Sequence, residues 1–277
     1  MSEYGNTWAE TDILSVLLKR YPRKIAPLLD KIYNQSMKTR GLSCRIKELS
    51  AHVPSRNILV AGVEMPGHHA DMQRIRAALT QTRHRVTFDK VVSSGKSKFE
   101  NINDILSRHK LSEFDWVVIT DDDIDFPENF MDEFVFLSEH FNFKIAQPAH
   151  NFVSYANYSV TRRHWNSIAR ITNFVEIGPI FILHRDVFSE TMPFPEVGMG
   201  WGIDIYWSLL AREREWRIGI IDALPIQHLK PVGKDYDCLA AQKAANKLLE
   251  RYNNIVREDI LKTVKTFSRL GNIKILD

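Results

Sequence analysis

The sequence predicts an α/β protein with a mainly parallel sheet flanked by helices, on three observations. Short apolar runs recur, such as Ile58-Leu59-Val60-Ala61-Gly62 and Trp116-Val117-Val118-Ile119, as expected of strands covered on both faces. Helix-compatible segments alternate with these runs, the pattern of a parallel sheet with crossover helices. The composition, 44% hydrophobic and 26% charged over 277 residues, is that of a folded chain long enough to bury a substantial core.

Residues 12–50 read as helical. Leu14, Leu17, Leu18 and Tyr21 share one face, and after the Tyr21-Pro22 break Ile25, Leu28, Leu29 and Ile32 repeat the spacing. This extension, residues 1–55, is expected to pack on the main domain, to join two copies in a homodimer, or to touch a membrane surface peripherally. Residues 56–235 form the main domain. Its first strand, 58–62, is followed by a helix over 69–82, a strand over 86–92, a helix over 101–109 and a strand over 116–119. Pro127-Glu128 opens the next helix, through Ser138. Further strands are expected at 144–147, 174–183 and 217–221. Residues 236–277 read as a C-terminal segment, helical over 236–267, with Ala241, Ala245, Leu248, Tyr252 and Ile255 at helical spacing.

The balance of 37 Lys+Arg against 34 Asp+Glu excludes a dedicated nucleic-acid binder, which carries a marked basic excess. Two cysteines, Cys44 and Cys238, imply no disulfide framework and fit a reducing compartment. Met1-Ser2-Glu3-Tyr4-Gly5-Asn6 has neither the basic nor the apolar part of a signal peptide. No run approaches the roughly 18 apolar residues of a membrane span. A soluble, cytoplasmic protein is expected, at most peripheral to the inner face of a membrane.

The richest segment is Thr120-Asp121-Asp122-Asp123-Ile124-Asp125, directly after an apolar strand. Ligands of open α/β sheets bind beyond the carboxyl ends of strands. Packed carboxylates raise one another's pKa unless a cation neutralises them, and a hard divalent ion bridging to substrate phosphates is the natural partner. The alternative is a solvated loop whose acids favour the start of the next helix. A calcium loop fails: Phe126 stands where Gly is needed, Asp132 stands where Glu is needed, and a strand precedes the loop.

Downstream, Gly198-Met199-Gly200-Trp201-Gly202-Ile203-Asp204 leads into a helix. Its glycines permit unusual backbone angles and close approach of a ligand. Asp204 either projects toward that ligand or caps the helix. The strand Ile218-Gly219-Ile220-Ile221-Asp222 leads to His228, which is either structural or completes a metal shell; imidazole suits Mn²⁺ better than Mg²⁺.

The acidic triplet after a strand resembles the Asp-x-Asp motif of GT-A-fold glycosyltransferases. More closely, the chain resembles an uncharacterised glycosyltransferase-like family of plants and bacteria. The residues concerned are Asp121-Asp122-Asp123 with Glu128-Asn129-Phe130, Gln147-Pro148-Ala149, Phe174-Val175-Glu176, Gly200-Trp201-Gly202-Ile203-Asp204, and Asp222 with His228. The ordered set spans residues 57–235 and leaves out the N-terminal helices. The family carries Glu where this chain has Asp122, which is therefore not expected to ligate a metal.

The resemblance implies a GT-A-like, Rossmann-type fold and a nucleotide-sugar donor, with UDP the expected base carrier. Asp121 would approach the donor ribose or the metal, with Asp122 beside it at the donor. Asp123 and His228 would ligate Mn²⁺ or Mg²⁺, and Ala61 and Gly62 would lie at the nucleotide. Asp204 would be the general base of an inverting transfer to a hydroxyl of a glycan or glycolipid. Glu176, Trp201 and Gly202 would bind that acceptor, with Glu196 a further carboxylate near the glycine loop. Arg162 and Arg163 would pair with the diphosphate, unless they belong to a solvated basic surface. Trp207 reads as core, and Trp165 as a further aromatic that could stack on a sugar. Two other functions fit the acidic cluster: an Asp-x-Asp phosphohydrolase or phosphotransferase, and a nucleotide-sugar binder without turnover.

Overall fold

The computed structural model describes residues 25–198, 200–231, 238–250, 252 and 256–271. The helical face predicted from Leu14 to Tyr21, and Ile255, lie outside them. Two helices come first, α1 (Ala26–Thr39) and α2 (Leu42–Ser50). Gly41, at φ 67, makes the left-handed turn between them. The main domain then runs β1 (Asn57–Glu64), α3 (His69–Thr80), β2 (Arg85–Val92), α4 (Lys98–Leu106), β3 (Trp116–Thr120), β4 (Ile124–Asp125), α5 (Phe130–His140) and β5 (Ile145–His150). It continues through β6 (Ala169–Thr172), β7 (Ile180–His184), the short α6 (Phe188–Thr191), α7 (Ile203–Glu213) and β8 (Ile218–His228). The described C-terminal elements are α8 (Cys238–Leu249), α9 (Arg257–Ile260) and β9 (Thr263–Phe267).

The predicted α/β class holds. One sheet has the order β2-β1-β3-β7-β5-β8-β6-β9, with β4 paired to β8 off this path. β2, β1, β3, β5, β8 and β9 run one way while β7 and β6 run the other, so six of the eight strands on the path share a direction. Alternation along the strands builds two cores. Ile58 and Val60 of β1, Trp116 and Val118 of β3, and Ile180 and Ile182 of β7 face one layer. Tyr33 of α1, Ile46 of α2, Ile75 of α3 and Phe134 of α5 fill that layer. Leu59, Ala61, Val117, Ile119, Phe181 and Leu183 face the other, against Phe99 and Ile102 of α4 and Trp207 of α7. These period-2 strands between apolar helix faces form an α/β/α sandwich, and Trp207 is core, as predicted.

Several boundaries move. The helix predicted over 101–109 starts earlier because Ser97 and Glu100 form a capping box, with the Glu100 carboxylate accepting the Ser97 N–H at 2.8 Å. Of the strand predicted over 174–183 only the end is strand; Phe174, Val175 and Glu176 are irregular. The helix predicted over 236–267 stops at Leu249, and Thr263–Phe267 is instead an edge strand on β6. Val264, Lys265 and Thr266 are all exposed there, so the strand shows no buried face that a periodic reading could find. β6 itself was not foreseen. It is four residues long, and its central Arg170 interrupts the apolar pattern.

Arg170 is there for a partner. Its guanidinium donates to both oxygens of Asp222, Nε to Oδ2 at 2.8 Å and a terminal nitrogen to Oδ1 at 3.0 Å, and both side chains are buried. Ser167 Oγ donates to Asp222 Oδ2 at 2.6 Å and the His164 N–H to Oδ1 at 2.8 Å. The strand Asp222 therefore holds β6 against β8. The N-terminal extension is fastened nearby. Asp30 of α1 accepts the N–H groups of Phe152 and Val153 and pairs with Arg163 at 2.8 Å, while Tyr33 donates to the Ser167 carbonyl at 2.5 Å. Removing one member of a buried pair strands the other charge. Asp222→Ala is expected to lose about 3–5 kcal/mol of stability, read as a lower urea midpoint; an unchanged midpoint would refute the role.

Candidate active site

The site forms where β3, β5 and β8 end. β4 pairs antiparallel with the far end of β8, Ile124 opposite His228 and Asp125 opposite Gln227. This register sets Asp123 beside His228: the Leu229 N–H donates to the Asp123 carbonyl at 2.9 Å, and Asp123 Oδ2 lies 3.2 Å from His228 Nε2. His228 Nδ1 is 3.2 Å from the Tyr155 carbonyl, which only accepts, so Nδ1 carries a proton. Nε2 is then the nitrogen that either holds a second proton for Asp123 or gives its lone pair to a cation. Burial pulls the His228 pKa down, but the hydrogen bond and charge of Asp123 reverse this and leave it raised. Burial likewise raises Asp123, and His228, Lys230 and Lys98 more than offset it, leaving a net depression.

The other acids of the cluster diverge. Asp121 turns to Lys98 of α4 at 2.7 Å. Asp122 is buried and accepts the Met65 N–H at 2.6 Å and the His68 ring Nδ1–H at 3.0 Å, tying the acidic turn to the end of β1. His68 Nε2 in turn accepts from Lys230 at 2.9 Å. Burial raises the Asp122 pKa against the opposing pull of Met65 and His68. Asp125 pairs with Arg74 on the surface. Among the described residues no group of three or more His, Cys, Asp or Glu side chains converges as a metal cage. The pair that does form is one carboxylate and one imidazole, with Asp121 two residues before the carboxylate. It fits a cation that takes one or two carboxylates and completes its shell from substrate phosphates.

A buried relay leads from this pair to the second cluster. The His228 backbone N–H donates to Ser154 Oγ at 2.8 Å, and Ser154 Oγ lies 2.9 Å from His150 Nδ1. His150 Nε2 lies 3.3 Å from Glu176 Oε2. The consistent tautomer has Ser154 donating to Nδ1 and Nε2–H donating to Glu176; burial lowers the His150 pKa, in keeping with a neutral ring. Glu176 is fixed by its backbone N–H, which donates to Gln147 Oε1 at 2.5 Å. Asp204, in the first turn of α7, is 5% exposed and is pushed up to about 7, first by burial and then by the charge of Glu176. The backbone amides at the helix start, that of Ile205 at 2.9 Å, oppose the shift without cancelling it.

The glycine loop has structural reasons of its own. At Gly200, φ 85, a Cβ would lie 2.2 Å from the Phe99 ring, and at Gly202, φ 91, it would lie 3.2 Å from the Ala245 backbone of α8. Trp201 is half-buried between them. Ala61 and Gly62 lie within the sheet, Ala61 fully buried, and the open end of β1 comes later at Glu64 and Met65. Arg162 and Arg163 are carried away from the acidic turn. Arg163 is buried against Asp30 and Asn34, and Arg162 reaches the Asn151 and Phe152 carbonyls. Glu196 is exposed, and Trp165 is exposed beside Tyr33. The sequence reading passed over Lys98, His68, Ser154 and His150. Of these only His150 carried a signal, standing directly after Gln147-Pro148-Ala149 at the end of a strand.

No protein-family model matches the chain, and no curated protein matches it. Solved structures share likeness of fold. GalNAc-T7 with UDP, GalNAc and Mn²⁺ is 8% identical at a TM-score of 0.47, over 70% of this chain and 48% of that one. The catalytic domain of Drosophila β1,4-galactosyltransferase 7 with xylobiose is 11% identical at 0.42, over 69% and 79%. S. aureus TarS 1–349 with UDP-GlcNAc is 10% identical at 0.45, over 64% and 59%. The chain thus spans about half of GalNAc-T7 and less than two thirds of the TarS chain. Likeness at this level carries nothing about activity, which must be argued from the site. No helix among the described residues is long and apolar enough to cross a membrane.

The state of Asp204 has a stability signature. Its folded pKa lies above the unfolded one, so between about pH 4 and 7 the folded state holds the extra proton and stability falls as pH rises. The uncharged Asp204→Asn escapes this loss. Denaturation series at pH 4.5 and pH 8 are expected to show the variant gaining a few kcal/mol on the wild type at the higher pH; parallel profiles would contradict the raised pKa.

Proposed function

We propose that the chain is a metal-dependent glycosyltransferase that moves a sugar from a nucleotide-sugar, a UDP-sugar first among them, to a hydroxyl of a glycan or glycolipid, with inversion. One observation carries the reading: a carboxylate–imidazole pair at the sheet end, Asp123 with His228, is joined through Ser154 and His150 to Glu176, whose charge acts on the buried Asp204 and helps push it up to about 7. Residues 56–235 are the proposed catalytic unit, acting on the cytoplasmic side.

Asp123 and His228 would hold Mn²⁺ or Mg²⁺, which when bound neutralises charge on the diphosphate leaving group. Asp121, with Lys98 beside it, would face the donor, a lysine and a carboxylate suiting phosphate and ribose hydroxyls respectively. Asp122 would shape the donor end by holding Met65 and His68. Glu176 and Trp201 would receive the acceptor, with Gly202 giving backbone access. Asp204 as carboxylate takes the proton of the acceptor hydroxyl. The oxygen attacks the anomeric carbon, and the bond from that carbon to the diphosphate oxygen breaks with its electrons on the leaving group. A base with a pKa near the working pH combines basicity with occupancy of the reactive form.

A thermal-shift and turnover panel of UDP-, GDP-, CMP- and dTDP-sugars, with and without Mn²⁺, tests the reading. Release of nucleoside diphosphate only with the metal is expected. Phosphate release from a monoester would instead mark a phosphohydrolase, and binding without turnover a non-catalytic binder. Asp123→Ala should abolish turnover while circular dichroism stays unchanged; full activity in that variant would sink the metal assignment. For Asp204, kcat/KM should climb with pH to a plateau above about 7. Asp204→Asn should lower kcat by roughly 10²–10⁴-fold. A variant of near-normal kcat would remove Asp204 from the role of base.

A further inference from the structure

A cleft of about 220 Å³ opens beside β6 and β9, its lining including Ser159, Arg162, Arg163, His164, Arg170 and Thr263. We propose that it is an oxyanion subsite for a phosphate group carried by the acceptor. The proposal rests on the transferase reading only in naming the occupant as acceptor; the anion site stands on its own observations.

Three guanidinium groups line this cleft against two carboxylates. Arg170 is matched by Asp222 and Arg163 by Asp30, which leaves Arg162 as surplus positive charge. Among the described residues Arg162 has no carboxylate within ion-pair distance; its contacts are long ones, 3.4 and 3.5 Å, to the Asn151 and Phe152 carbonyls. Burial depresses its pKa, only partly countered by the charges of Glu176 and Asp30. Arg163 is 3% exposed, and its Nε–H has no acceptor although both terminal nitrogens are bonded. Donors thus exceed acceptors in a wall that folding has otherwise satisfied, where buried polar groups are normally paired.

The excess calls for an anion with more than two acceptor oxygens. Phosphate offers three in tetrahedral array to the Arg162 guanidinium, the Arg163 Nε–H and the Ser159 hydroxyl, whereas a carboxylate offers two. The volume is below that of a drug-sized pocket and suits a single charged group. Its place suits an acceptor rather than the donor. The cleft lies on β6 and β9, and β6 pairs with the first part of β8, Ile218 to Ile221, whereas β4 holds the acidic turn at the far end of β8, by Gln227 and His228. It still borders the catalytic acids. Arg162 bridges to His150, the Arg163 N–H donates to the His150 carbonyl at 2.9 Å, and Glu176 lies within electrostatic range of Arg162.

Calorimetric titration of the full chain in EDTA with glucose 6-phosphate, glucuronate and glucose tests this. Glucose 6-phosphate is expected to bind saturably, with glucuronate at least about tenfold weaker and glucose not binding. Arg162→Gln, at a position whose present contacts are long, should weaken glucose 6-phosphate by about tenfold or more with an unchanged circular dichroism spectrum. Asp123→Ala should bind it as the wild type does, since it alters only the donor end. Absence of saturable binding, equal affinity in Arg162→Gln, equal affinity for glucuronate, or loss of binding in Asp123→Ala would each overturn the proposal. Because metal and donor are excluded, binding here with no nucleotide-sugar turnover separates failure of the transferase reading from failure of this one.

Discussion

The short antiparallel pairing of β4 with the end of β8 is the constraint on which the site depends. β8 is 11 residues long; it leaves β6 at Ile221, stays with β5 across a register shift to Ile226, and runs on to His228. That extra length lets Ile124 meet His228, so the acidic turn cannot drift into solvent as a free loop would. The same extension brings the His228 backbone N–H to Ser154 and its ring to the Tyr155 carbonyl. One backbone register therefore fixes the carboxylate, selects the imidazole tautomer and starts the relay toward Glu176. Fixing a histidine through its other nitrogen is how proteins prepare it for a cation or a proton.

The carboxylates of this sheet end are sorted by what surrounds them. Asp121 has Lys98, Asp122 has a backbone N–H and His68, Asp123 has His228, and Asp125 has Arg74. Four acids in five residues are tolerable because each points to a different element and meets its own donor, which removes most of their mutual repulsion. In the sequence they form one cluster; in the fold they are four separate contacts. A cation bound beside Asp123 and His228 would therefore not need to neutralise all four.

Much of this was legible because it is periodic. The apolar runs of β1 and β3 alternate with helix-compatible segments at α3 and α5, and the acids stand directly after a strand. β6 escaped because Arg170 sits where an apolar residue was looked for, and its partner Asp222 is remote in sequence. β9 escaped because an exposed edge strand pairs on one side only and needs little apolar surface. His228 was visible as a histidine after a strand, but Lys98 sits on α4 and His68 at the start of α3, and nothing local in their sequence points to Asp121 or Asp122. Contacts across the top of a sheet depend on strand order, and strand order is not written in any one segment.

Asp222 and Asp204 show how one residue type takes two roles in this fold. Both are buried, and both lie in the half of the chain that follows the acidic turn. Asp222 receives two guanidinium N–H groups, a hydroxyl and a backbone N–H, so its charge is matched and it serves as a strut between strands. Among the described residues Asp204 receives amides from the start of its own helix, and it feels the charge of a second carboxylate, Glu176. A strut needs a settled charge, whereas a base needs a charge whose cost is only partly offset, so that gaining a proton returns stability. The Gly202 turn sustains this imbalance: pressed against Ala245 of α8, it has no side chain of its own to lend a donor or admit one. The C-terminal helix thereby packs against the turn from which the helix of Asp204 starts.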